Sequence, residues 1–273
     1  MAFQLQQLYS HGTSTPAVAR TMLQGSEIVE FIKGTDKQRQ EAVSVMAELM
    51  KKLLRCVEIH EQIAKAEVDA RSGLSDGSLV IQTQHNVFRP PSIPDLDNKA
   101  ESFLQAAKLA IAQATRLTEP FYGQDFGHQL NKMEKWATTN YGKENPLVQF
   151  AQGWQPWVKE ILLMRDAVDH PKKGLHGRLH VRNFFVDDSQ GQLNLFAPQW
   201  WLEGGPMQFI SDNMGRIIEG VIQLHEHLLI VIFNDLKKSF PFVIYEIPIG
   251  ERNPSCPIRL KVGLSDKVKL SGM

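Results

Sequence analysis

A chain of 273 residues, 42% hydrophobic and 22% charged, has the composition of a soluble globular protein and not of a disordered tail. Thirty Lys and Arg against thirty Asp and Glu leave a formal net charge of +0, which excludes a bulk electrostatic pull toward DNA or anionic lipid; any nucleic-acid contact must come from a local patch. Two cysteines, Cys56 and Cys256, form no zinc or redox spacing and no disulfide framework, which points to a reduced, cytoplasmic setting.

Residues 1–26, rich in Gln, Ser, Thr and Gly, read as a flexible N-terminal arm, and the opening MAFQLQQLYSHG lacks the basic and apolar regions of a secretory signal. Residues 27–238 read as a helical bundle. Within it GTD at 34–36 is a loop with Asp36 as the expected N-cap, and Val45, Leu49, Leu53, Val57 and Ile63 recur at turn-like spacing until the pattern fades near Arg71–Gly73. SGLSDG and RPPSIPD then give turns and a proline-stiffened connection. Asp95 or Asp97 is expected to cap a second helix carrying Phe103, Leu104, Ala107 and Ile111, which ends before Pro120. A short helix over about 125–138 follows. Asn145 and Pro146 have the spacing of a cap and a first helical position for the next helix, which runs to about residue 170. Pro171 disfavours helical geometry at His170 and stops it.

The character then changes. LHVRNFFVDDSQGQLNLF predicts a β insertion near 176–197 with a hairpin turn at DDSQGQ; WWLEGG is expected as a loop, and 207–238 as another helix. Residues 239–273 read as a C-terminal β-hairpin and tail packed on the same domain. The most apolar run, HLLIVIF at 227–233, is far short of the roughly 20 residues that cross a bilayer, so no membrane association is expected. The order of elements predicts a mainly α protein, an antiparallel helical bundle with small β-hairpin additions in the C-terminal half.

The stretch LLMRDAVDHPKKG, residues 162–174, carries the strongest chemical signal. On a helix Arg165 and Asp169 are four apart, as are Asp166 and His170. That spacing also suits an ordinary surface ion pair, worth at most about 1 kcal/mol, with His170 favoured by the helix dipole. RDAVDH at 165–170 resembles the Arg-x4–6-His motif of the HEPN superfamily (the higher-eukaryote and prokaryote nucleotide-binding domains), in which a polar residue often follows the arginine, as Asp166 does here. The resemblance covers about six residues and implies a HEPN-like helical bundle, often dimeric, with the motif near the dimer interface. It further implies a metal-independent ribonuclease, or a non-catalytic module that binds nucleotide, RNA or protein.

In the ribonuclease case the RNA's own 2′-OH attacks the adjacent phosphorus. His170, with an unperturbed pKa of about 6.5, transfers the proton, Arg165 clamps the phosphate as charge builds, and Asp166 orients one of them. No metal or cofactor is required. A homodimer is expected, with RNA and an antitoxin or regulatory protein as partners. PKKGLHGRLHVR adds Lys172, Lys173, Arg178 and Arg182, the best local footprint for an RNA backbone, although a solvated basic loop has the same composition. Phe184 and Phe185 are adjacent, so at least one ring must enter the core. His225 and His227, two apart, point away from each other on a helix and suit no single metal.

Overall fold

The computed structural model of the chain describes residues 11–76, 83–84, 87–88, 90–169, 177–187, 194–238 and 241–265. Of these, 64% are helical and 13% lie in strands, which makes the protein mainly α with small antiparallel sheets in the C-terminal half. In chain order the elements are α1 (Pro16–Val18), a π-helical segment (Ala19–Leu23), α2 (Gln24–Val29), α3 (Asp36–Ser75), β1 (Thr83–Gln84), β2 (Val87–Phe88), α4 (Leu96–Thr115), α5 (Thr118–Tyr122), α6 (Leu130–Tyr141) and α7 (Pro146–Asp169). They continue with β3 (Leu179–Arg182), β4 (Phe185–Asp187), β5 (Asn194–Phe196), β6 (Gln199–Leu202), β7 (Gln208–Phe209), α8 (Ile210–Leu236), β8 (Phe242–Glu246) and β9 (Leu260–Leu264).

The chain divides into two compact units. One comprises Met1–Leu54, Ala110–Gln155 and Val221–Met273, the other Arg55–Leu109 and Pro156–Gly220. In the first unit, residues 11–26 are not the flexible arm that their composition suggests. They are largely helical, and Arg20 and Gln24 are buried although polar. The physical reason is a carboxylate more than 200 positions away. Arg20 grips Glu226 of α8 in a bidentate ion pair, with Nε donating to Oε1 at 2.8 Å and Nη2 to Oε2. Gln24 Nε2 donates to the same Glu226 Oε1 at 2.8 Å, while Gln24 Oε1 accepts the Arg259 and Leu260 amides at 2.7 and 2.8 Å. A Gln-, Ser- and Thr-rich stretch thus becomes core by satisfying its polar atoms internally. The β8–β9 hairpin, paired from Phe242↔Leu264 to Glu246↔Leu260, is tied to the same glutamine.

Helix α3 begins with a reciprocal capping box. The Thr35 amide donates to Gln38 Oε1 at 2.8 Å, and the Gln38 amide donates to Thr35 Oγ1 at 3.2 Å. Thr35, one residue before the expected Asp36, is therefore the cap. Met46, Leu49 and Leu53 of its apolar stripe lie in the first unit's core, and Ile59 and Ile63 in the second's. Helix α7 starts as its sequence implies: Pro146 is its first residue, and Asn145 Oδ1 accepts the Leu147 amide at 2.9 Å.

In the second unit β3, β6 and β7 form a three-stranded antiparallel sheet, and β4 pairs with β5 as expected from Phe185↔Phe196 onward. The WW of WWLEGG, expected in a loop, belongs to β6: Val181 faces Trp200 and His180 faces Trp201. Trp200 is 0% exposed; its ring lies 6.2 Å from that of Phe103, and its Nε1 donates to Asn213 Oδ1 at 3.0 Å. Helix α8 is long and apolar enough by composition to cross a bilayer, yet 67% of its 18-residue apolar window is buried inside the protein, so it is a core helix.

Candidate functional site

Arg165 and Asp166 sit in the last two turns of α7. Arg165 Nε donates to Gln105 Oε1 on α4 at 2.8 Å, and its Nη1 lies 3.6 Å from Asp166 Oδ1. Asp166 Oδ1 is in turn 3.7 Å from Lys108 Nζ, one turn along α4 from Gln105. The result is a row of four polar groups, Gln105–Arg165–Asp166–Lys108. The Arg165 side chain retains 22% of its exposure and Asp166 53%. Ion pairs of this length and exposure contribute well under about 1 kcal/mol, so the row orients side chains more than it stabilises the fold. The hydrogen bond that Arg165 donates to the neutral amide of Gln105 helps to fix the guanidinium.

His170, Lys172, Lys173 and His176 lie outside the described residues, as does the side chain of Asp169. Arg178 and Arg182 are described and exposed. A groove of about 430 Å³ runs past the end of α7, lined by Asp97 and Glu101 of α4, Ala167 and Val168 of α7, and Arg178 and Leu179 at β3. Among the described residues two carboxylates and one guanidinium line it, a balance that favours a cation over a phosphate. Arg165 is not among its lining residues.

The remaining histidines separate as their spacing implies. His225 is wholly buried, and burial, helped by the Arg20 charge and weakly opposed by the Thr21 backbone, pushes its pKa from 6.5 to about 3. His227 is exposed on the opposite side of α8 and accepts the Trp154 Nε1 proton at 3.0 Å. His60 sits with Nε2 3.4 Å from Ser211 Oγ, and burial lowers its pKa. Among the described residues no three His, Cys, Asp or Glu side chains gather where they could hold a metal ion.

Sequence reasoning found Arg165 and Asp166 but missed Gln105 and Lys108, which share the second helix with the apolar residues and carry no local mark of their role. It also did not pair His180, in the basic stretch PKKGLHGRLHVR, with Trp201, although the two stack with ring centroids 5.2 Å apart. A pair of adjacent tryptophans in an extended stretch was the available signal, since strand alternation must send one of the two outward. Of the Phe184–Phe185 pair, Phe184 is buried and Phe185 stacks on Phe196 at 4.9 Å.

Fold and site together define a mainly helical protein with a small antiparallel sheet and an Arg–Asp pair at a helix end. Comparison with protein families, curated proteins and solved structures finds no match to this chain.

Proposed function

We propose that this chain is a HEPN-like RNA-binding protein acting as a metal-independent endoribonuclease, with Arg165 stabilising the scissile phosphate, Asp166 positioning it and His170 transferring the proton. The observation that carries the reading is the fixed guanidinium: Arg165, near the end of a long helix, donates to the neutral amide of Gln105, keeps part of its surface, and precedes His170 by five residues in the sequence. A preoriented arginine that keeps part of its surface is what a transition-state phosphate clamp requires. On this reading the working form is a cytoplasmic homodimer that brings a second His170 or Arg165 to the same phosphate. Lys172, Lys173, Arg178 and Arg182 guide the strand, and an antitoxin or regulatory protein restrains the activity in a toxin–antitoxin, antiphage or stress-response setting.

A second reading, a non-catalytic HEPN-like module for nucleotide, RNA or protein, is favoured by a specific observation. Asp97 and Glu101 line the groove beside the helix end and repel a phosphate entering there. Incubation of purified protein with mixed RNA in EDTA separates the two. The nuclease reading expects cleavage that falls about 10²- to 10⁴-fold in His170→Ala, and is also lost in Arg165→Ala, with circular dichroism unchanged. Cleavage undiminished in His170→Ala sinks it. Binding without cleavage by the unmodified chain establishes the second reading.

A further inference from the structure

We propose that the outward face of the β3–β6–β7 sheet, continued by the β4–β5 hairpin, binds a single-stranded polynucleotide, with bases stacking at Trp201 and phosphates held chiefly by Arg182. The choice of RNA as the strand rests on the function proposed above; the surface itself recognises planar bases and a phosphodiester backbone. Strand alternation builds it. Trp200 and its neighbours on one side of β6 enter the core, so Trp201 must face away, and it is only half-buried. Its cross-strand partner His180 stacks against it at an interplanar angle of 13°. Arg182 lies two residues from His180 on the same face of β3, about 6.7 Å along the strand, whereas Arg178 precedes the strand and lines the groove beside α4 and α7; both are exposed.

The guanidinium of Arg182 lies 4.0 Å over the Phe185 ring, which stacks in turn on Phe196. Phe209, 41% exposed, stands opposite Gln199 in the register and extends the same face. Aromatic planes alternating with guanidinium groups on a sheet are the elements from which single-strand sites are made: stacking supplies affinity for any base, and arginine meets the backbone. The two arginines are not equivalent. Glu203 faces Arg178, with its amide donating to the Arg178 carbonyl at 2.9 Å and its Oε2 accepting the Arg178 amide at 3.2 Å. Among the described residues Arg182 has no carboxylate partner, so its charge is the more available.

Fluorescence anisotropy of a short labelled oligouridylate and its deoxythymidylate counterpart, titrated with the full chain in EDTA, tests the surface. Affinity is expected to fall at least about tenfold in Trp201→Ala and in Arg182→Glu, and less in Arg178→Glu. Arg182→Ala should also lower the salt dependence by about one counterion. Arg182→Glu alters an exposed side chain, which keeps the test valid should Trp201→Ala disturb folding. Equal binding of both strands supports the surface and assigns it no 2′-hydroxyl readout. Unchanged binding by Arg182→Glu, preference for a duplex, or no binding of either strand overturns it, the last returning the face to a protein partner. Cleavage separates the two proposals: a chain that cuts RNA while Arg182→Glu binds normally loses this surface and keeps Arg165–His170, and one that binds through Arg182 and Trp201 without cutting does the reverse.

Discussion

His225 carries two polar ring nitrogens into full burial, and neither has a hydrogen-bond partner among the described residues. Its pKa in the folded chain, about 3, lies below the ordinary 6.5, so folding requires the neutral ring. The stability this arrangement allows is present above pH 6.5 and is lost as pH falls below it, because only the unfolded chain then takes up the proton. Between pH 7 and 5 the loss is about 2 kcal/mol. Thermal melts at both pH values should show that drop, and His225→Leu should flatten it; an unchanged slope in the variant would remove His225 as its source. The two thiols give a second contrast. Burial pushes the Cys56 thiol up to about 12, whereas Cys256 is partly accessible. A maleimide applied to the native protein should therefore modify Cys256 and spare Cys56 until denaturant is added, as mass spectrometry of the digested chain would read out.

At the scale of elements, helix α8 passes the α7 tryptophan only because residue 220 has no side chain. A Cβ at Gly220 would lie 2.3 Å from Cζ2 of Trp157. Gly220→Ala should cost about 1–3 kcal/mol, measured by urea denaturation, despite the gain in helix propensity. Helices α3, α4, α6, α7 and α8 were legible in the sequence because their signals are local: GTD at the start of α3, Asn145–Pro146 at the start of α7, and apolar residues every three or four positions between. The β4–β5 and β8–β9 hairpins were legible for the same reason, as runs of β-formers flank a turn. Strand β6 was not, since four residues beside a Gly-Gly turn show too little alternation to outweigh the loop signal. The site was half legible. A motif marks Arg165 and Asp166, but nothing local says that Gln105 and Lys108 will lie against them, because helix pairing is decided by the whole core.

For the whole molecule, the buried Arg20–Glu226 pair shows what composition conceals. Arg20→Ala leaves a carboxylate buried with its main cation gone and should destabilise the chain by about 3–5 kcal/mol, whereas Arg20→Met with Glu226→Leu should recover most of that loss. Calorimetry of the single and double variants checks it; equal destabilisation by both would mean that packing, not charge, dominates. The N-terminal segment read as an arm because the partner that makes it core is 206 positions away.

That separation also orders events at the ribosome. With synthesis at roughly 5–20 residues per second, the nascent chain waits on the order of 10–40 s after Arg20 emerges before its acidic partner is made. The intervening segments appear first, so the helix that carries Arg20 stays without its closing contact until α8 has been made, an interval in which a chaperone would have cause to hold it.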